Sequence, residues 1–227
     1  MYLLLLIAAV AGYFLGALPF GYLVARAYGV DIFKEGSGNP GATNVKRVLG
    51  TKAGGLVYVL DACKGAIAAG WPLLYFQWRH LSITRVTTND AGRALGTIDW
   101  CLACAVIGMV AAVVGHSFSV FTRFKGGKGV ATASGGLLVV IPVPALIGII
   151  VWFVTFFASR YVSLASIMAA AVTPAATWVL GRPLGLNLMV TLVGLLVIVR
   201  HHGNIRRLFA GTEHRWVRGE PPAVDDP

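Results

Sequence analysis

The stretch GSGNPGATNVKR, residues 36–47, is polar, rich in glycine and ends in two cations, yet a long apolar run precedes it and another follows. Irregular backbone of this kind is not tolerated against lipid, so it sits where a membrane protein meets water or lines a cavity. Three further polar islands recur along the chain: GHSFSVFTRFKGGKGVATASGG at 115–136, SRYVSLAS at 159–166 and HHGNIRRL at 201–208. The oily sequence between them sets the fold class.

Hydrophobic residues make up 57% of the chain and charged residues 12%, with a mean hydropathy of +0.75. A soluble domain carries about 25% charged residues, so this is an integral membrane protein, expected to be an all-α polytopic helical bundle. A chain of 227 residues has room for several helices of about 20 residues and little else, and a single domain over 1–227 is expected. The net charge of +10 implies acidic partners. Because the cations are scattered between apolar spans, anionic lipids and phosphorylated substrates fit better than nucleic acid. Cys63, Cys101 and Cys104 fall inside apolar segments, and the Cys101-x-x-Cys104 pair lacks a second ligand pair for zinc, so it reads as buried packing. No metal or cofactor is expected. The first apolar run has no preceding Lys or Arg and continues to Val24, which favours an uncleaved first span over a signal peptide.

Apolar stretches run from about Tyr2 to Val24, Ala53 to Trp78, Leu95 to Val114, Val130 to Phe157, Val162 to Leu180 and Leu186 to Val199. Pro142 and Pro144 interrupt the fourth, and prolines so spaced break a helix. Splitting it into roughly Lys128–Ile141 and Pro144–Ala158 gives seven transmembrane helices, these two only about 20 Å long. Fourteen of the nineteen Lys and Arg residues then share one side. The positive-inside rule places the N-terminus outside, the C-terminus in the cytoplasm and all four islands on the cytoplasmic face. Residues 79–95 become an external loop, and the proline-rich acidic tail 217–227 is expected to be disordered.

Each island is suited to phosphate. Gly36, Gly38 and Gly41 let backbone amides approach an anion, Ser37, Asn39, Thr43 and Asn44 add neutral hydrogen-bonding groups, and Arg47 offers a planar fork. Pro40 suggests a helix start whose positive end faces the loop. In the second island Gly126 and Gly127 lie between Lys125 and Lys128 ahead of another helix start. It is not a Walker A loop, since Gly129 rather than Ser or Thr follows Lys128 and no strand precedes it. His116 reads as a base or a helix-end cap. Arg160 and Ser163 stand three apart in the third island, as an anion site or a helix anchor. His201 and Asn204 have the same spacing in the fourth, where no third ligand supports a metal and Glu213 stands alone. Asp61 and Lys64, inside the second span, are functional candidates or a structural pair.

Together, GSGNPGATNVKR, GHSFSVFTRFKGGKGVAT, SRYVSLASI, HHGNIRRLFAGTE and the DACKG segment at 61–65 resemble the bacterial acyl-phosphate:glycerol-3-phosphate acyltransferase family. The resemblance implies a seven-helix inner-membrane enzyme that moves a fatty acyl group from acyl phosphate to the sn-1 hydroxyl of glycerol 3-phosphate. Lysophosphatidic acid and inorganic phosphate would be the products, in the first acylation of phospholipid synthesis. It marks Ser37, Arg47, the Lys125–Lys128 loop, His201 and Asn204 without separating the two lysines. The helix start favours Lys128.

Acyl phosphate is already an activated mixed anhydride, so positioning and charge stabilisation suffice without a covalent nucleophile. His201 and the leaving phosphate are rival acceptors for the hydroxyl proton. Other glycerolipid acyltransferases use a His followed five residues later by Asp; that pair is absent after every histidine here. A phosphate-ester transporter would be expected to bind near the midplane between two related halves, and a lipid-phosphate phosphatase would use water as acceptor. The expected partners are the two substrates and membrane lipid, acting on a monomer.

Overall fold

The computed structural model describes residues 1–79, 84–88 and 94–217. The chain runs through α1 (Tyr2–Ala17), α2 (Phe20–Ala27), α3 (Ala42–Trp78), a ladder of β1 (Thr84–Thr88) and β2 (Ala94–Asp99), α4 (Trp100–Ser117), α5 (Val130–Val140), α6 (Pro142–Ser159), α7 (Val162–Val179), α8 (Leu184–Arg200) and α9 (His202–Phe209). A 3-10 turn at Val120–Thr122 follows α4. Apart from the ladder, every regular element among the described residues is helical.

Several boundaries depart from the sequence reading for local reasons. The first apolar run is not one helix: α1 ends at Leu18, because Pro19 has no N–H to continue the ladder. The long α3 begins after Gly41, close to where Pro40 announced it, and takes in both the end of the first island and the second apolar stretch. It kinks at Gly50, whose φ of 87° lies outside helical space. Strand β1 falls within the expected loop at 79–95, in keeping with β-branched residues at 84, 86, 87 and 88. Its antiparallel partner β2 runs on to Asp99, opposite Thr84, so the apolar stretch expected from Leu95 becomes helical only at Trp100. All but the first residue of the acidic tail at 217–227 lies outside the described residues.

By length and hydropathy, five helical segments among the described residues are able to cross a membrane, or six if α8 and α9, bent by 56° at His201, count as one. The chain does divide at Pro142. Its second piece, α6, is a full 18 residues and starts two residues earlier than expected, whereas α5 has only 11 residues, about 16 Å. Lys128, just before α5, contacts Asn204, and the carbonyl of Arg160, just after α6, accepts from the N–H of Trp216. Asn204 and the 213–216 segment are themselves joined, so α5 leaves one end of the bundle and α6 returns to it.

Small residues permit the close helix contacts. A Cβ on Gly12 or Gly16 of α1 would lie 2.3 or 2.1 Å from the Gly108 or Ala112 carbonyl oxygen of α4. Between α3 and α5 the same holds for Gly65 against Thr132 and Gly135 against Ala62, at 1.9 and 2.0 Å. Backbone-to-backbone approach of this kind drives association where lipid removes the hydrophobic incentive, and it holds the short α5 inside the bundle. Met109, Val113, Ala133, Val190 and Val193 fill the core beside it. Outward faces stay apolar: Leu3, Leu6 and Val10 on α1 and Ile150, Val154 and Phe157 on α6 are exposed, as lipid-facing residues should be.

Candidate functional site

The first island is a loop built on positive-φ glycines, Gly36 at 57° and Gly38 at 65°. Asn44, in the first turn of α3 and 3% exposed, binds it from within. Its Oδ1 accepts the Ser37 N–H at 2.8 Å and its Nδ2 donates to the Glu35 carbonyl at 3.0 Å. Asn39 Oδ1 accepts the Gly41 N–H at 2.9 Å, directing the chain into the helix. Thus Asn39 and Asn44 shape the loop, while Ser37 and Thr43 remain exposed.

In the second island, the Gly127 N–H donates to the His116 carbonyl at 3.0 Å. From α8, Arg200 Nη2 and Nε donate to the carbonyls of Gly126 and Gly127 at 2.9 and 3.1 Å. An open cleft of about 360 Å³ separates the two islands, lined by Phe33, Gly38, Asn39, Pro40, Phe124, Lys125, Gly126 and Arg200. Lys125 is exposed at its rim. Lys128 is not in the helix it was expected to open; Gly129, at φ 82°, intervenes before α5.

Lys128 joins the second island to the fourth. Its Nζ donates to Asn204 Oδ1 at 2.6 Å, Asn204 Nδ2 donates to Glu213 Oε1 at 2.6 Å, and Arg207 Nε donates to Glu213 Oε2 at 2.7 Å. Ser163, buried at the start of α7, lies beside the same carboxylate. Burial opposes the charge on Glu213, but the hydrogen bonds from Asn204 and Arg207, with the Ser163 hydroxyl beside them, prevail and hold its carboxyl below the usual range.

Burial pushes Lys128 down to about 8; Glu213 resists this, while Arg207, Arg47 and Arg200 add to it. Arg47, half-buried, therefore contributes its field to the same cluster. His201 is buried at the bend between α8 and α9, with Nδ1 2.7 Å from the Val197 carbonyl oxygen. Nδ1 carries the proton for that contact and Nε2 keeps its lone pair. Burial first, then the charge of Lys128, lower His201 to about 4.

The exposed Arg160 caps α6 at φ 63°, and its backbone, not its side chain, is tied to the fourth island through Trp216. The indole of Trp216 packs on Phe156 with ring centroids 5.7 Å apart and receives Lys46 Nζ at 5.2 Å. The structure thus brings Arg47, Lys128, Ser163, His201 and Asn204 to one cluster, and Gly38, Asn39, Lys125 and Gly126 to the adjoining cleft.

Three residues were not singled out from sequence. Glu213, dismissed as isolated, organises the cluster; a lone carboxylate among Arg206, Arg207 and Arg215 was the available signal. Arg200 and Arg207 stand out in the sequence only as two of the fourteen Lys and Arg residues of one side. No group of three His, Cys, Asp or Glu residues able to hold a metal occurs among the described residues.

The sequence matches the family model for glycerol-3-phosphate acyltransferase over residues 6–211. It is 41% identical to a glycerol-3-phosphate acyltransferase of Aquifex aeolicus over 93% of this chain and 98% of the relative. Identity is also 41% to one of Rubrobacter xylanophilus, over 90% and 92%. Among solved structures it resembles PlsY (YgiH), an integral membrane glycerol 3-phosphate acyltransferase. The glycerol 3-phosphate form gives a TM-score of 0.79 at 39% identity, covering 94% of this chain and 96% of that one. The lysophosphatidic acid form gives 0.77 at 39% identity, covering 95% and 97%.

Proposed function

The chain belongs to the glycerol-3-phosphate acyltransferase family, and on that premise we propose that it transfers a fatty acyl group from acyl phosphate to the sn-1 hydroxyl of glycerol 3-phosphate. Lysophosphatidic acid and inorganic phosphate are the products. The observation that carries this reading is the excess of positive charge at the cluster. Arg207, Arg47 and Arg200 all oppose the charge on Lys128, with Glu213 as the acidic partner among them. Phosphate relieves that repulsion, and a reaction with two phosphorylated substrates gives each part of the site an anion to hold.

Arg47 and Lys128 neutralise one phosphate, while the glycine turns, Ser37 and Lys125 orient the other across the cleft. Asn204 acts through Lys128, because both ends of its amide are engaged, one by the ammonium and one by Glu213. The acceptor oxygen attacks the acyl carbonyl carbon, the carbon–oxygen bond to phosphate breaks, and the departing phosphate takes the electron pair. Donors already aimed at the developing oxyanion lower the barrier. The hydroxyl proton passes to the phosphate oxygen that this cleavage frees, giving inorganic phosphate. The oxygen freed by the broken bond is a far stronger base than the His201 imidazole, held at about 4, and His201 then orients the hydroxyl through Nε2.

We further infer seven membrane passages with the short α5 counted as one, the N-terminus outside, the C-terminus and active site cytoplasmic, and a single-domain monomer in the inner membrane. Fourteen Lys and Arg residues on the site side support that orientation. The direct test of the donor is product formation from labelled glycerol 3-phosphate with palmitoyl phosphate or palmitoyl-CoA. Product from the phosphate alone is expected; product from the thioester alone would sink the reading.

A further inference from the structure

Asp61, Lys64 and His116 take no part in the steps above, yet all three are buried, at 2%, 2% and 9% exposure. Lys64 Nζ lies 2.7 Å from Asp61 Oδ1 and donates to the Leu18 carbonyl at 2.9 Å, where α1 ends. His116 Nδ1 stands 3.5 Å from the same Asp61 oxygen. The far edge of the imidazole meets the second island. A Cβ built on Gly127 would come 2.1 Å from His116 Nε2, and the three nearest atoms in its path all belong to that ring. The backbone of His116 holds the same turn by accepting the Gly127 N–H. A buried ion pair is a weak source of stability compared with apolar packing, so these charges call for a reason beyond holding α3 in place.

We propose that Asp61, Lys64 and His116 are positioning residues for the phosphate-binding turn Gly126–Lys128. The Lys64–Asp61 pair, anchored on the end of α1, fixes the imidazole of His116. The imidazole is the seat on which Gly127 rests, with Arg200 closing the turn from the opposite side through the Gly126 and Gly127 carbonyls. Lys128 follows immediately and inherits its height above the site from that seat. Glycine is required at 127 for want of space rather than for backbone conformation, since its φ is not in the left-handed region. This inference rests on reading the turn as part of the phosphate site.

The contact supplies its own test. Gly127→Ala, His116→Ala and the double variant are purified in detergent, and kcat and KM for glycerol 3-phosphate are measured for each. The thermal upshift that glycerol 3-phosphate confers on each protein is recorded beside them. Each single change raises KM about tenfold or more. The double variant recovers at least about tenfold over the product of the two single effects, because alanine at 127 then occupies the space the ring has left. Independent, multiplying effects would overturn the proposal. Asp61→Asn, checked for a monodisperse elution peak, raises KM as well; a folded variant with wild-type kinetics would remove the carboxylate from the scheme. If that variant does not fold, the His116–Gly127 cycle alone decides. A wild-type enzyme inactive on acyl phosphate would refute the functional reading instead, and the coupling would still be read from the thermal upshift.

Discussion

Lys128 and Asn204, 76 residues apart in the chain, meet with Nζ 2.6 Å from Oδ1. The lysine leaves the glycine turn ahead of α5 and the asparagine projects from α9, so this contact closes the site across the bundle. Removing Lys128 as alanine is expected to lower kcat/KM about 100- to 1000-fold, the usual cost of one preorganised donor. Steady-state assays with palmitoyl phosphate check this. A loss below tenfold would shift the main role to Lys125.

The pH dependence follows from the same ammonium. With Lys128 at about 8, the charge is present below that pH and lost above it, so kcat/KM for glycerol 3-phosphate falls on the alkaline side with a limb near 8. Arginine stays protonated throughout this range. Lys128→Arg therefore flattens the limb, even if its different shape lowers the plateau.

Glu213 raises the proton affinity of Lys128 while three arginines lower it. Glu213→Gln removes the negative charge that opposes them, so the alkaline limb moves to lower pH. It also weakens the hold on Asn204 and Arg207, and a reduced plateau is expected. A pH profile with an unmoved limb would contradict the charge arrangement described for the cluster.

Two glycines on α3 separate packing from propensity. A Cβ at Gly65 would lie 1.9 Å from the Thr132 carbonyl oxygen, whereas at Gly70 its nearest neighbour is Val139 Cγ1 at 3.9 Å. Gly65→Ala must push α5 away and is expected to lower the melting temperature sharply in detergent. Gly70→Ala meets ordinary contact distance, and the gain in helix propensity, up to about 1 kcal/mol, leaves the protein at least as stable.

The sequence made plain whatever depended on local chemistry. Apolar stretches announced the helices, Pro142 announced the reversal between α5 and α6, and glycine-cation islands announced the phosphate groups. Harder to read was what depended on distant partners. Pro19 divides the first run, and Lys64, 46 residues away, donates to the Leu18 carbonyl at that break; no window around residue 18 contains that donor. Glu213 looks solitary in the sequence although Asn204 and Arg207 stand nine and six residues before it; Ser163 comes beside it only because α7 packs against α9. Asn39 and Asn44 read as ligand groups by composition; the structure engages both ends of the Asn44 amide and the Oδ1 of Asn39 in the loop that they shape.

The central claim is acyl transfer from acyl phosphate to an obligatory acceptor. It is tested most directly by phosphate release from palmitoyl phosphate, with and without glycerol 3-phosphate and with acyl-CoA as a competing donor. We expect release to require glycerol 3-phosphate, to match lysophosphatidic acid formed mole for mole, and to be unaffected by acyl-CoA as a donor. Equal release without the acceptor, accompanied by free fatty acid, would contradict the account and make the protein a phosphatase.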